Sequence, residues 1–91
     1  MTREDIAAKI KPLHWELDED YSGKKIISAQ LINRIVYIRH QETGRVNIVL
    51  GYDNGSRIEL DKVVKNIPFH EAKELAKKWQ VDEMCEYFDL D

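Results

Sequence analysis

The densest run of oxygen-bearing side chains in this chain is Asp18, Asp20 and Ser22, followed by Gly23. These residues repeat the first, third, fifth and sixth positions of an EF-hand loop, where side-chain oxygens ligate calcium and the glycine makes the sharp turn. The match stops there. Ala29 stands where the bidentate glutamate is needed, Lys25 stands where an apolar residue belongs, and the flanking pattern is that of strands, so the segment reads as a solvated hairpin turn. His14, His40 and His70 fall on three separate elements without His-x3-His spacing. A metal or catalytic role would require two of them to converge with a carboxylate, and they read instead as surface or partly buried structural residues. Cys85, the only cysteine, could be a nucleophile only beside a base that lowered its pKa. Its place among Val81, Met84 and Phe88 marks a core thiol. No Gly-rich phosphate loop, nucleophile elbow or paired-carboxylate signature occurs. The residues therefore point away from an enzyme and from any bound cofactor or metal.

What remains is surface chemistry, and it depends on which residues share a face. Alternation through Leu13, Trp15 and Leu17 predicts a half-buried strand, and Lys25 to Leu31 a second that reverses at Asn33, a residue that tolerates positive φ. Glu42-Thr43-Gly44 and Asp53-Asn54-Gly55 both read as three-residue hairpin loops with glycine in the left-handed position. The first loop pairs Gln41 with Arg45, and so Ile38 with Ile48 and Val36 with Leu50. The second would pair Tyr52 with Ser56, and so Leu50 with Ile58 and Ile48 with Leu60. In that register one sheet face collects Val36, Ile38, Val46, Ile48, Leu50, Ile58 and Leu60. The other carries Ile35, Tyr37 and Val49 as an apolar centre, ringed by Arg39, Arg57, Glu59 and Asp61. An aromatic and arginine centre inside a charged rim is the layout of a protein interface. Ile35, Tyr37, Arg39, Val49 and Arg57 are accordingly the candidate partner-binding residues.

Helices bracket the strands. Thr2 and Asp5 are spaced as a capping box ahead of Ile6, Ala7 and Ile10, which predicts a short amphipathic helix from about residue 3 to 10, ended by Pro12. From Pro68 the period returns to 3.6, with one stripe at Ala72, Leu75, Ala76 and Trp79 and a second at Val81, Met84, Cys85 and Phe88. The stripes are out of phase, which predicts a kink near Gln80 or two short helices with Asp82 capping the second. Lys62, Lys65, Lys73, Lys77 and Lys78 make the one basic concentration. No aromatic platform accompanies them, and the acidic end from Asp82 to Asp91 opposes phosphate, so nucleic acid ranks as the weakest of the partner classes.

The whole composition fits this picture. Ninety-one residues with a formal charge of −3 make one domain with a thin core, and the excess of acid argues against broad phosphate neutralisation. With 43% hydrophobic and 34% charged residues the chain is of folded, soluble type and not of disordered type. No apolar run of membrane-spanning length occurs, and Met1 to Lys11 lacks a signal-peptide core, so a cytoplasmic protein is expected.

The segment Ile6-Ala7-Ala8-Lys9-Ile10-Lys11-Pro12-Leu13-His14-Trp15-Glu16 resembles the opening of small phage and prophage proteins, in which a short helix leads into a KPL-x-WE strand. Glu71-Ala72-Lys73-Glu74-Leu75-Ala76 is similar to their final E-A-K-x-x-A helix. Pro68, where a Ser or Thr cap is usual, and Asn33, where a Gly-bearing turn is usual, depart from the pattern. The resemblance implies a phage-type accessory protein and assigns no activity to any residue.

Together these readings predict an α+β domain spanning residues 1–91: an antiparallel meander of four to five strands packed on a C-terminal helix, with a short N-terminal helix. The function expected is that of a small non-enzymatic intracellular module acting through protein–protein contact or self-association as a homo-oligomer. The alternative is a binder of a nucleotide or other anionic small molecule at an oligomer interface, held by Arg39 and Arg57. The calcium reading has a direct check: because the loop lacks its bidentate carboxylate and Lys24 and Lys25 oppose a cation, thermal melts with and without millimolar calcium should coincide. An upward shift abolished by Asp18→Asn would reverse that reading.

Overall fold

A computed structural model describes residues 2–19, 23–53 and 58–88. In chain order the elements are α1 (Arg3–Lys9), β1 (Trp15–Glu19), β2 (Lys25–Gln30), β3 (Ile35–His40), β4 (Val46–Asp53), β5 (Ile58–Ile67) and α2 (Phe69–Tyr87). The five strands form one antiparallel sheet in sequence order, β1-β2-β3-β4-β5. This is the α+β meander that the alternating patterns and helical stripes predict.

Local chemistry explains most of the boundaries. Thr2 Oγ1 accepts from the Asp5 amide at 3.2 Å, and the Asp5 carboxylate accepts from the Thr2 amide at 3.0 Å, a complete capping box. Those bonds from Thr2 hold the Asp5 carboxyl below its ordinary pKa. In the β3–β4 hairpin Gln41 and Arg45 close the loop as expected, Gly44 takes φ 84°, and Ile38 pairs with Ile48 and Val36 with Leu50. The β2–β3 reversal also falls at Asn33, closed by the Leu31 amide donating to the Arg34 carbonyl at 2.8 Å. Asn33 itself does not adopt positive φ; among the described residues only Asn66 does so without being glycine.

The second hairpin departs from expectation. Its loop tip lies among residues 54–57, outside the described residues, but the strands leaving it pair Asp53 with Ile58, Tyr52 with Glu59 and Gly51 with Leu60. Leu50 then pairs with Lys62 and Ile48 with Val64, so the expected pairings of Leu50 with Ile58 and Ile48 with Leu60 do not form. Two register shifts, one between Leu50 and Gly51 and one between Val46 and Ile48, accompany a ten-residue β5. Asp61 is the extra residue at the first shift. Each bulge moves the alternation by one residue. Ile58 and Leu60 thereby turn away from the core, while Val64 and Ile67 turn into it.

The inner sheet face is covered by α2. Val36, Ile38, Ile48, Ala72, Ala76 and Trp79 are buried in one cluster, with Trp15 packed against it half-buried. Small Ala72 and Ala76 let the helix approach the sheet, and Trp79 fills the space beyond them. The helix runs unbroken over 19 residues, so the expected division into two short helices near Gln80 does not occur. Its second stripe has a different partner: Val81 and Cys85 pack with Ile6 of α1, joined by Ile10 and Met84. Arg3 of α1 pairs with Asp82 beside them. Two out-of-phase stripes on one unbroken helix thus serve two surfaces.

Glu83 is the one buried charged side chain among the described residues, 4% exposed. Its carboxylate accepts from the backbone amides of Ile32 and Asn33, each at 2.9 Å, and from Arg34 Nη1 at 3.3 Å. It ties α2 to the β2–β3 turn. Glu83→Ala would leave the two turn amides without their acceptor and Arg34 with only Asp61 and Glu86, and should cost about 3–5 kcal/mol in urea unfolding. Glu83→Gln, which keeps a carbonyl acceptor, should cost less than that. A loss below about 1 kcal/mol for Glu83→Ala would mean that the turn is held by other contacts.

Candidate functional site

The outer sheet face is built from the residues that alternation leaves opposite to α2. Asp18, Ile26, Arg39 and Asn47 make one row across β1 to β4, and Lys65 of β5 extends it. Glu16, Ser28, Tyr37, Val49 and Val63 make the next row, each paired with its neighbour. Ile35, Gly51 and Leu60 continue the face on β3 to β5. A trough of about 820 Å³ runs over this surface, with Tyr37 and Val49 in its floor, Val63, Leu60 and Ile58 on one side, and Arg39 and Lys65 at one end.

Of the candidate partner-binding residues, Tyr37, Arg39 and Val49 come together in this trough, and Ile35 shares the face. Arg57 lies outside the described residues. Glu59 and Asp61, expected on the rim, are on the opposite side: Glu59 accepts from the Tyr52 hydroxyl at 2.7 Å, and Asp61 accepts from Arg34 Nε at 3.1 Å. The bond to Glu59 raises the Tyr52 pKa. Burial alone would lower the Arg34 pKa, but Glu86, Glu83 and Asp61 outweigh it and hold the guanidinium above its ordinary value.

Sequence reasoning missed Ile58, Leu60 and Val63 on this face. They are 42%, 65% and 43% exposed, which for neighbouring large apolar side chains marks a surface that α2 does not cover. Leu17 and Ile32 stand apart from one another and need no such account, and Tyr87 and Phe88 form a separate edge-to-face pair at the end of α2, ring centroids 5.3 Å apart. Gly51 was the available signal. A Cβ there would lie 2.9 Å from the Glu59 carbonyl oxygen and 2.9 Å from Ile58 Cγ2. Glycine in mid-strand marks a close approach of this kind, and here it lets Ile58 fold over the strand.

The other chemically capable groups are distributed without convergence. His14 and His70 are exposed, and His40 stacks on Phe69 with ring centroids 5.3 Å apart. Among the described residues no group of three His, Cys, Asp or Glu side chains is placed to hold a metal ion. Cys85 is buried against Ile6 and Val81. The lysines divide among surfaces: Lys62 sits over the Trp79 ring at 5.9 Å, Lys73 over Phe69 at 5.7 Å, and Lys65 on the outer face. Among the described residues no helix is long and apolar enough to cross a membrane. Comparison with protein-family models, with curated proteins and with solved structures finds no match to this chain.

Because the face depends on the β4–β5 register, that register can be tested through Gly51. Gly51→Ala should destabilise the domain by about 1–3 kcal/mol by overpacking against Ile58 and the β5 backbone. Were Leu50 paired with Ile58 instead, the added methyl would be close to neutral in the same thermal melts.

Proposed function

We propose that the protein is a non-enzymatic module that works by protein–protein association through the outer face of its sheet, as a phage-type accessory protein of the cytoplasm. One observation carries the reading: Tyr37, Val49, Ile58, Leu60 and Val63 form a contiguous apolar surface on the side of the sheet opposite to α2. Uncovered apolar patches of this kind, bordered by charge, are where soluble proteins meet partners. Arg39 and Lys65 at one end of the trough favour, as second reading, an anionic small molecule lying across it.

A photo-crosslinking residue placed at Val63 tests this directly, with Lys78 on the exposed side of α2 as control. In cells that make the protein, illumination should yield a protein adduct from position 63 and none from position 78. Equal adducts at both positions, or none at 63, would remove the basis for the reading. If neither position crosslinks while nucleoside triphosphate raises the melting temperature and Arg39→Gln abolishes that rise, the small-molecule reading takes its place.

A further inference from the structure

We infer that the occupant of the outer face is a second copy of this chain, packed face to face about a two-fold axis that runs along the strands at β3; the inference rests on the interface reading just given. Size is the first argument. Five strands about 4.8 Å apart, with six residues at about 3.3 Å each, give a footprint of roughly 24 by 20 Å. Two such faces remove about 1,000 Å² from water, the lower bound for a specific interface, which suits a dimer that forms in the micromolar range.

Charge is the second argument. The β1 flank of the face carries Glu16 and Asp18, and the β5 flank carries Lys65, with Arg39 on the central strand. Acid thus gathers at one flank, where Glu19 also lines the trough, and base at the centre and the other flank, an arrangement that a copy of itself complements better than a partner of one charge sign. Two in-plane axes could bring copies together. An axis across the strands would set β1 on the other copy's β1, acid against acid. An axis along the strands sets each β1 over the other β5, so that Asp18 approaches Lys65. Tyr37 and Ile35 then meet their own counterparts near the axis, with Val49, Val63 and Leu60 around them. Arg39 also falls near the axis, at one end of the trough.

Sedimentation equilibrium of the full chain across micromolar concentrations should show the mass rising from 10.7 kDa toward twice that value. Asp18→Lys and Lys65→Glu should each weaken dimerisation about tenfold, and the double variant should recover to within about threefold of wild type. Tyr37→Ala should weaken the dimer by about 25-fold or more. Asp18 and Lys65 are exposed, so melting temperatures of the charge variants at low concentration should match wild type. A double variant as weak as its two singles combined would overturn the axis along the strands. A chain that stays monomeric throughout would overturn the second copy as occupant. If that monomer still crosslinks to a different protein through position 63, the interface reading survives it; if position 63 yields nothing, both fall.

Discussion

Glu83 sets the geometry on which the rest of the molecule depends. A carboxylate taken out of water is costly unless its oxygens are satisfied, and here two backbone amides and a guanidinium satisfy them. Those donors exist in one place only, inside the turn between β2 and β3. The contact therefore fixes both how far α2 slides along the sheet and how it is rotated. With that rotation set, Ala72, Ala76 and Trp79 face the sheet while Val81 and Cys85 face α1. Arg34 carries the constraint further, since Nε bonds to Asp61 while Nη1 bonds to Glu83. Asp61 sits at the first bulge of β5. One ionic chain thus runs from the helix through the turn to the strand whose register decides what the outer face displays.

This chain of dependence explains what the sequence disclosed and what it did not. The capping box at Thr2 and Asp5 and the hairpin at Gly44 are local: the residues that decide them lie within a few positions of one another, so their types and spacing suffice. The β4–β5 register is not local. Ile58, Leu60, Val63 and Val64 are apolar on both faces, and alternation cannot rank two apolar faces. The choice is made by Arg34 reaching Asp61 and by the absence of a side chain at Gly51, two facts that appear only once β3, β4 and β5 lie side by side. The continuity of α2 was hidden for a related reason. Its stripes are out of phase because α1 arrives from the far end of the chain to cover the second, and a reading of the helix alone had no partner to assign to it. Of the outer face, Tyr37, Arg39 and Val49 were legible because the β3–β4 hairpin was. The side contributed by β5 was not.

The two surfaces through which a small sheet can associate are its edges and its open face, and this chain treats them differently. Both edges are blunted. β1 is five residues long and carries Glu16, Asp18 and Glu19. β5 is longer, but its ladder is interrupted by two register shifts, and Lys62 and Lys65 stand along it. Short, charged and bulged strands resist the addition of another strand. The outer face has no comparable protection at its centre, where Tyr37, Val49 and Val63 pair directly across three strands. Charge there stands on the flanks, at Asp18 and Lys65, and at one end of the central strand, at Arg39. A sequence that disfavours growth in the plane of the sheet while leaving its centre apolar fits the face-to-face pairing proposed above, an isologous contact that closes on itself.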